Sequence, residues 1–103
     1  MPVYIVAELT IQDRATYTIY EAGFAEIFQR YRGEVLAVDE QPTVLEGEWK
    51  HTRTVLLRFP DKAEADRWYR SPEYQALAQH RLRSSRANVA LLQGFDGVLP
   101  GSE

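Results

Sequence analysis

Phe59-Pro60-Asp61 and, further on, Trp68-Tyr69-Arg70-Ser71-Pro72-Glu73-Tyr74 decide the fold of this 103-residue chain. Pro60 has no N–H to offer a sheet, so it ends a strand. Asp61 with Glu64 three residues later makes a helix start of the capping-box kind. The helix predicted from Lys62 to Arg70 turns Ala65, Trp68 and Tyr69 inward. Ser71 then caps a second helix, with Pro72 at its first position. A strand therefore runs into a helix broken in two.

The second piece carries the most telling residue. Tyr74, Leu77, Ala78 and Leu82 stand at i, i+3, i+4 and i+8, and Arg81 fills i+7. A guanidinium on an inward stripe must be paired or reach water, because burying it alone is costly. Arginine also forks onto carboxylates through two bonds. Arg81 thus predicts an acid nearby, on the protein or on a ligand, with Asp13, Glu46 and Glu8 as the protein candidates. The plainer alternative is a structural salt bridge. His80, Arg83 and Arg86 read as a solvated basic face near the helix end.

Upstream, Val3 to Ile11 alternates as a strand, with Val3, Ile5, Ala7 and Leu9 on one face. Asp13 caps a helix predicted from Arg14 to Arg32, ending at Gly33 as a left-handed C-terminal position. Its apolar stripe is Tyr17, Tyr20, Phe24, Ile27, Phe28 and Tyr31. Glu34 to Asp39 is a second strand, with Leu36 and Val38 opposite Val35 and Ala37. Glu40 to His51 is a polar connection with a turn at Glu46-Gly47. Thr52 to Phe59 is the third strand, and Arg53, Val55, Leu57 and Phe59 share a face. Asn88 to Gln93 is the fourth.

Strand, helix, strand, strand, two-part helix, strand is the order of a ferredoxin-like split βαβ sandwich, an α+β fold with a four-stranded antiparallel sheet. One domain is expected over residues 1–96, with a tail over 97–103. The sheet face away from the helices carries Tyr4, Val6 or Leu56, according to register, so a homodimer through sheet faces is expected.

Composition bounds the function. A net charge of −3 argues against a nucleic-acid partner. The absence of cysteine excludes disulfides, thiolate metal sites and cysteine nucleophiles. With two histidines, a histidine-only metal site within one chain is not expected, nor is a cofactor. No apolar run approaches the ~20 residues of a membrane span, so a cytoplasmic location and no membrane partner are expected.

Tyr4, Asp13, Tyr17, Tyr20, Gly33, Glu46-Gly47, Trp49, Arg53, Phe59-Pro60, Trp68-Tyr69, Ser71-Pro72-Glu73-Tyr74-Gln75 and Arg81 together resemble the domain of unknown function 1330 family. The likeness runs from Val3 to Gly94 and departs at Arg32, where the family often has a second glycine. It implies a dimeric α+β barrel, two sheets closing face to face. The wider superfamily includes cofactor-free monooxygenases, haem-degrading enzymes and muconolactone isomerases, which use the cleft between helices and sheet. The family itself has no settled activity, and fold alone transfers none.

A cleft of that kind would have Tyr17, Tyr20, Trp68, Tyr69 and Tyr74 as aromatic walls. Arg53 and Arg81 would anchor a small anionic or aromatic ligand. Asp13 or Glu46 would accept a proton, with Arg81 completing the catalytic set. Isomerase-like or monooxygenase-like chemistry without a cofactor fits these residues. The alternative is a non-catalytic dimer, structural or ligand-sensing, in which the same polar groups form a satisfied network.

Overall fold

The computed structural model describes residues 1–95 and 97–101. Asp96, at the end of the expected domain, and Ser102 and Glu103 of the expected tail lie outside the described residues. The elements follow as β1 (Val3–Ile11), α1 (Arg14–Phe28), β2 (Glu34–Asp39), β3 (Arg53–Phe59), α2 (Lys62–Tyr69), α3 (Pro72–Ser84) and β4 (Ser85–Gln93). The strands make one antiparallel sheet in the order β2-β3-β1-β4, with the first strand central. This is the ferredoxin-like α+β arrangement that the order of elements predicts.

Alternation along β1 sets the layers. Val3, Ile5 and Leu9 are buried under the helices, level with Phe59, Leu57 and Arg53 of β3. Tyr4, Val6 and Glu8 face the other way, beside Arg58, Leu56 and Thr54. The helices meet the sheet through aromatic rings: Phe28 of α1, Phe59 of β3 and Trp68 of α2 lie 5.4–5.6 Å apart, centroid to centroid. The molecule is only 16 Å through its thinnest axis, the depth of one helix layer on one sheet. Its radius of gyration is 15.2 Å, above the ~13 Å of a compact domain this long. Among the described residues no helix is long and apolar enough to cross a membrane.

Four details differ from the pattern expected of the sequence. α1 ends at Phe28, not Arg32, because Arg30 and Tyr31 bond the carbonyls of Ile27 and Phe28, three residues back, and tighten the chain into turns. Gly33 is not left-handed; only Gly47 and Gly101 have positive φ among the described residues. It is small for another reason: a Cβ there would stand 2.5 Å from the Phe28 ring and 2.7 Å from the Phe59 ring. In β2 a bulge intervenes between Val35 and Ala37. The extra residue breaks the alternation, so Val35 and Val38 turn to the same side, opposite Leu57 and Val55. β4 begins at Ser85 directly after α3, since Ser85 to Ala87 already pair with Ile11 to Leu9.

Gly33→Ala is expected to lower stability by about 1–3 kcal/mol, the usual cost of forcing an extra methyl into a packed site. The urea midpoint should fall with no change of slope. An unchanged midpoint would mean that the Phe28 and Phe59 rings yield freely.

Candidate functional site

Between the helices and the sheet lies a cavity of about 180 Å³. Its floor is apolar, from Ile5, Ala7 and Leu9 of β1 and Val55 and Leu57 of β3. Its roof is aromatic. Tyr17, Tyr20 and Phe24 come from one stripe of α1, at i, i+3 and i+7. Trp68, Tyr69 and Tyr74 come from either side of the helix break. A cavity of about 150 Å³ takes a benzene molecule, so the buried space suits one substituted ring. Val35, Val38, Tyr69 and Val89 line it and are also exposed, so the cavity opens to solvent.

Local caps place these side chains. The Asp13 carboxylate accepts from the Thr16 N–H and from the Thr16 hydroxyl at 2.6 Å, which sets the phase of α1. The Ser71 hydroxyl donates to the Trp68 carbonyl at 2.8 Å and accepts from the Tyr74 N–H. That double use brings the Trp68 and Tyr74 rings to 4.2 Å.

The cavity's two arginines are in opposite electrical states. Arg53 is held by Glu40 at 2.7 Å and Glu21 at 3.2 Å, with its guanidinium 5.5 Å from the Tyr17 ring centre. Hydrogen bonds from Arg14 and then Arg53 hold the Glu40 carboxyl below its usual value, so that acid stays charged. Arg81 is 7 % exposed, inward as its spacing predicts. No carboxylate of the described residues lies within 4.0 Å of its guanidinium. None of the three protein acids named as candidates stands beside it. Asp13 is spent on its helix cap, Glu8 faces His51 at 3.5 Å on the far side of the sheet, and Glu46 lies in the exposed β2–β3 connection.

Arg81 rests instead among phenols. Its guanidinium is 6.0 Å from the Tyr20 ring centre. Burial works against its charge, Tyr74 and Tyr20 work for it, and the balance raises its pKa. The two phenols share a buried hydrogen bond, Tyr20 to Tyr74, at 2.7 Å between oxygens. Burial, then its Tyr74 neighbour, pushes the Tyr20 hydroxyl far above the ordinary phenol value. Burial also raises Tyr17, against the pull of Arg53. Tyr17 and Tyr20 are therefore neutral at physiological pH. Two further wall residues, Trp68 and Arg53, each have a buried N–H with no hydrogen-bond partner in the structure, Nε1 and Nε respectively. Leaving such a donor unmet costs about 1–3 kcal/mol.

Of the residues singled out in the sequence, Tyr17, Tyr20, Arg53, Trp68, Tyr69, Tyr74 and Arg81 all line this cavity, and Asp13 and Glu46 do not. Glu46 instead borders a separate groove with Pro42, Val44 and Trp49. Tyr69, expected to be inward, is 38 % exposed at the rim. Leu82, placed on the α3 stripe, is 57 % exposed. At ~100° per residue it sits about 80° from Tyr74, whereas Arg81 sits only about 20° away. Glu21 escaped notice and is the one carboxylate on the cavity wall among the described residues. Its signal was its place four residues after Tyr17, on the edge of the aromatic stripe. No group of three or more histidine, aspartate or glutamate side chains that could hold a metal occurs among the described residues.

Fold and cleft together define a ferredoxin-like α+β protein with a helix–sheet pocket. The chain belongs to the family described as Domain of unknown function (DUF1330), which it matches over residues 2–95. Among solved structures it is similar to a protein of unknown function from Rhodopseudomonas palustris, with a TM-score of 0.76 at 15% identity over 93% of this chain and 84% of that one. It is also similar to SnoaB, a cofactor-independent oxygenase from Streptomyces nogalater, with a TM-score of 0.64 at 21% identity over 96% and 97% of the two chains. A third likeness is to a dimeric ferredoxin-like protein of unknown function from Jannaschia sp. CCS1, with a TM-score of 0.65 at 17% identity over 91% and 100%. At these identities the likeness shows the fold. No curated protein matches the chain.

The Tyr20–Tyr74 pair is expected to behave as a coupled unit. Tyr20→Phe or Tyr74→Phe alone strands one buried hydroxyl and should cost about 1–3 kcal/mol. Together they remove both partners and should cost less than the sum, with a coupling of at least ~0.5 kcal/mol in a denaturation cycle. Strict additivity would show that the two hydroxyls do not depend on each other.

Proposed function

We propose that this chain binds a small, flat, largely apolar molecule carrying one anionic group, seated in the helix–sheet cavity with that group against Arg81. One observation carries the reading: a buried guanidinium on the cavity wall with no carboxylate of the described residues to neutralise it. Arg53 is the internal control, since the same chain supplies that cation with two acids. A cation held in apolar surroundings attracts an anion far more strongly than one in water. The aromatic walls set the shape of the rest of the ligand.

Isomerase-like or monooxygenase-like chemistry without a cofactor is the catalytic extension of this reading. SnoaB, described as a cofactor-independent oxygenase, lends it support through a shared fold only. Roles for Asp13 and Glu46 gain nothing from the geometry, because neither side chain borders the cavity.

We place the working unit as a homodimer through the outer sheet face. In the register observed, Tyr4, Val6, Leu56, Ala90 and Leu92 share that face, and Leu92 is well exposed. Apolar surface gathered there is what a second copy would cover, and one relative of this fold is described as dimeric.

Two measurements check these statements. Calorimetry with benzoate and its neutral counterpart benzamide should show a preference for benzoate in the wild type. Arg81→Leu should weaken benzoate binding by about tenfold, the share of one charge-assisted contact, and leave benzamide nearly unchanged. Equal benzoate affinity in a folded variant would remove Arg81 as the anchor. Sedimentation at micromolar concentration should give the mass of two chains, and a stable single chain would contradict the sheet-face pairing.

A further inference from the structure

Residues on the cavity wall bring donors that a ligand can use. Arg81 brings guanidinium N–H groups and no lone pair to accept with. The Tyr20–Tyr74 pair has two hydroxyl protons and spends one on the 2.7 Å bond between them, so one proton is left to give whichever way that bond points. The Arg81 guanidinium lies 6.0 Å from the Tyr20 ring centre, beside that pair. Glu21, the carboxylate on the wall, is engaged by Arg53.

We infer that the cavity selects weak acids by protonation state, holding a phenol or enol as its oxyanion between Arg81 and the Tyr20–Tyr74 pair. The inference rests on the anion-binding reading above and names the ligand class. A neutral O–H entering there leaves the Arg81 charge uncompensated and can place its proton only on a phenol oxygen. Its conjugate base accepts from two of the donors at once. On binding, the O–H bond of the ligand breaks, the proton passes to solvent, and the electron pair stays on oxygen facing the donors. No oxidant or co-reactant is needed. The charged and titratable groups bearing on the oxyanion are Tyr17, Tyr20 and Glu21 from α1, Arg53 from β3, Tyr69 from α2, and Tyr74 and Arg81 from α3. β1, β2 and β4 contribute only apolar side chains to the wall.

The probe is 4-nitrophenol, whose phenolate absorbs visibly, titrated free and bound to the intact wild-type chain. Its pKa should fall by about one unit or more on binding, equivalent to phenolate binding about tenfold tighter than phenol. In the Tyr20→Phe/Tyr74→Phe double variant the fall should shrink by half a unit or more. Equal binding of phenol and phenolate by the wild type would overturn the inference, and so would an undiminished fall in the folded double variant. If that variant does not fold, the wild-type titration still decides. Loss of the anion-binding reading itself looks different: the wild type would then show no preference for benzoate over benzamide.

Discussion

Trp68 is the contact on which the other elements depend. Its ring lies 5.4 Å from Phe28, 5.5 Å from Phe59 and 4.2 Å from Tyr74, so one side chain ties α1, β3 and α3 together. It is 3 % exposed. The Ser71 hydroxyl bonded to its carbonyl breaks the helix one step later, and α3 leaves in a new direction. Without that break Tyr74 and Arg81 would not share a wall with Trp68. Helix capping and aromatic packing thus build the fold and the cavity in a single stroke.

The same geometry explains how a cation is tolerated inside. Arg53 offsets its desolvation with two carboxylates. Arg81 has ring faces and phenol oxygens around it, worth about 0.5–2 kcal/mol as a cation–π contact and less than a full counter-charge. One arginine is therefore structural cement, joining β3 to α1 and to the start of the β2–β3 connection. The other has no carboxylate of the described residues against it and stands beside an apolar space. That contrast is what supports the proposed binding reading over a satisfied network, the two readings that the sequence left side by side.

The cleft's aromatic lining was legible in the sequence because helical spacing is a local property. Tyr17, Tyr20 and Phe24 repeat at three and four, and Trp68 to Tyr74 is bounded by two caps with strong local chemistry. Arg81 stood out because it interrupted an apolar stripe. The acid expected beside it was not legible: Asp13 shares the phase of the α1 stripe, but a position before the first helical turn satisfies backbone N–H groups and does not reach across the cleft. Glu21 was overlooked because nothing within its own helix marks it; Arg53, its partner, arrives from a strand more than thirty residues away.

Local periodicity, capping residues and chain-breaking prolines by themselves determined the number of elements, their order and the inward faces of the helices, since each depends on neighbours within a turn or two. Only the tertiary structure decided that Gly33 is a packing site between two phenyl rings, that a bulge turns Val35 and Val38 into the cavity, and that among the described residues Arg53 has carboxylate partners while Arg81 has none. Those outcomes depend on strand register and on which helix lies over which strand. They follow from distances between residues far apart in the chain, which no spacing pattern encodes.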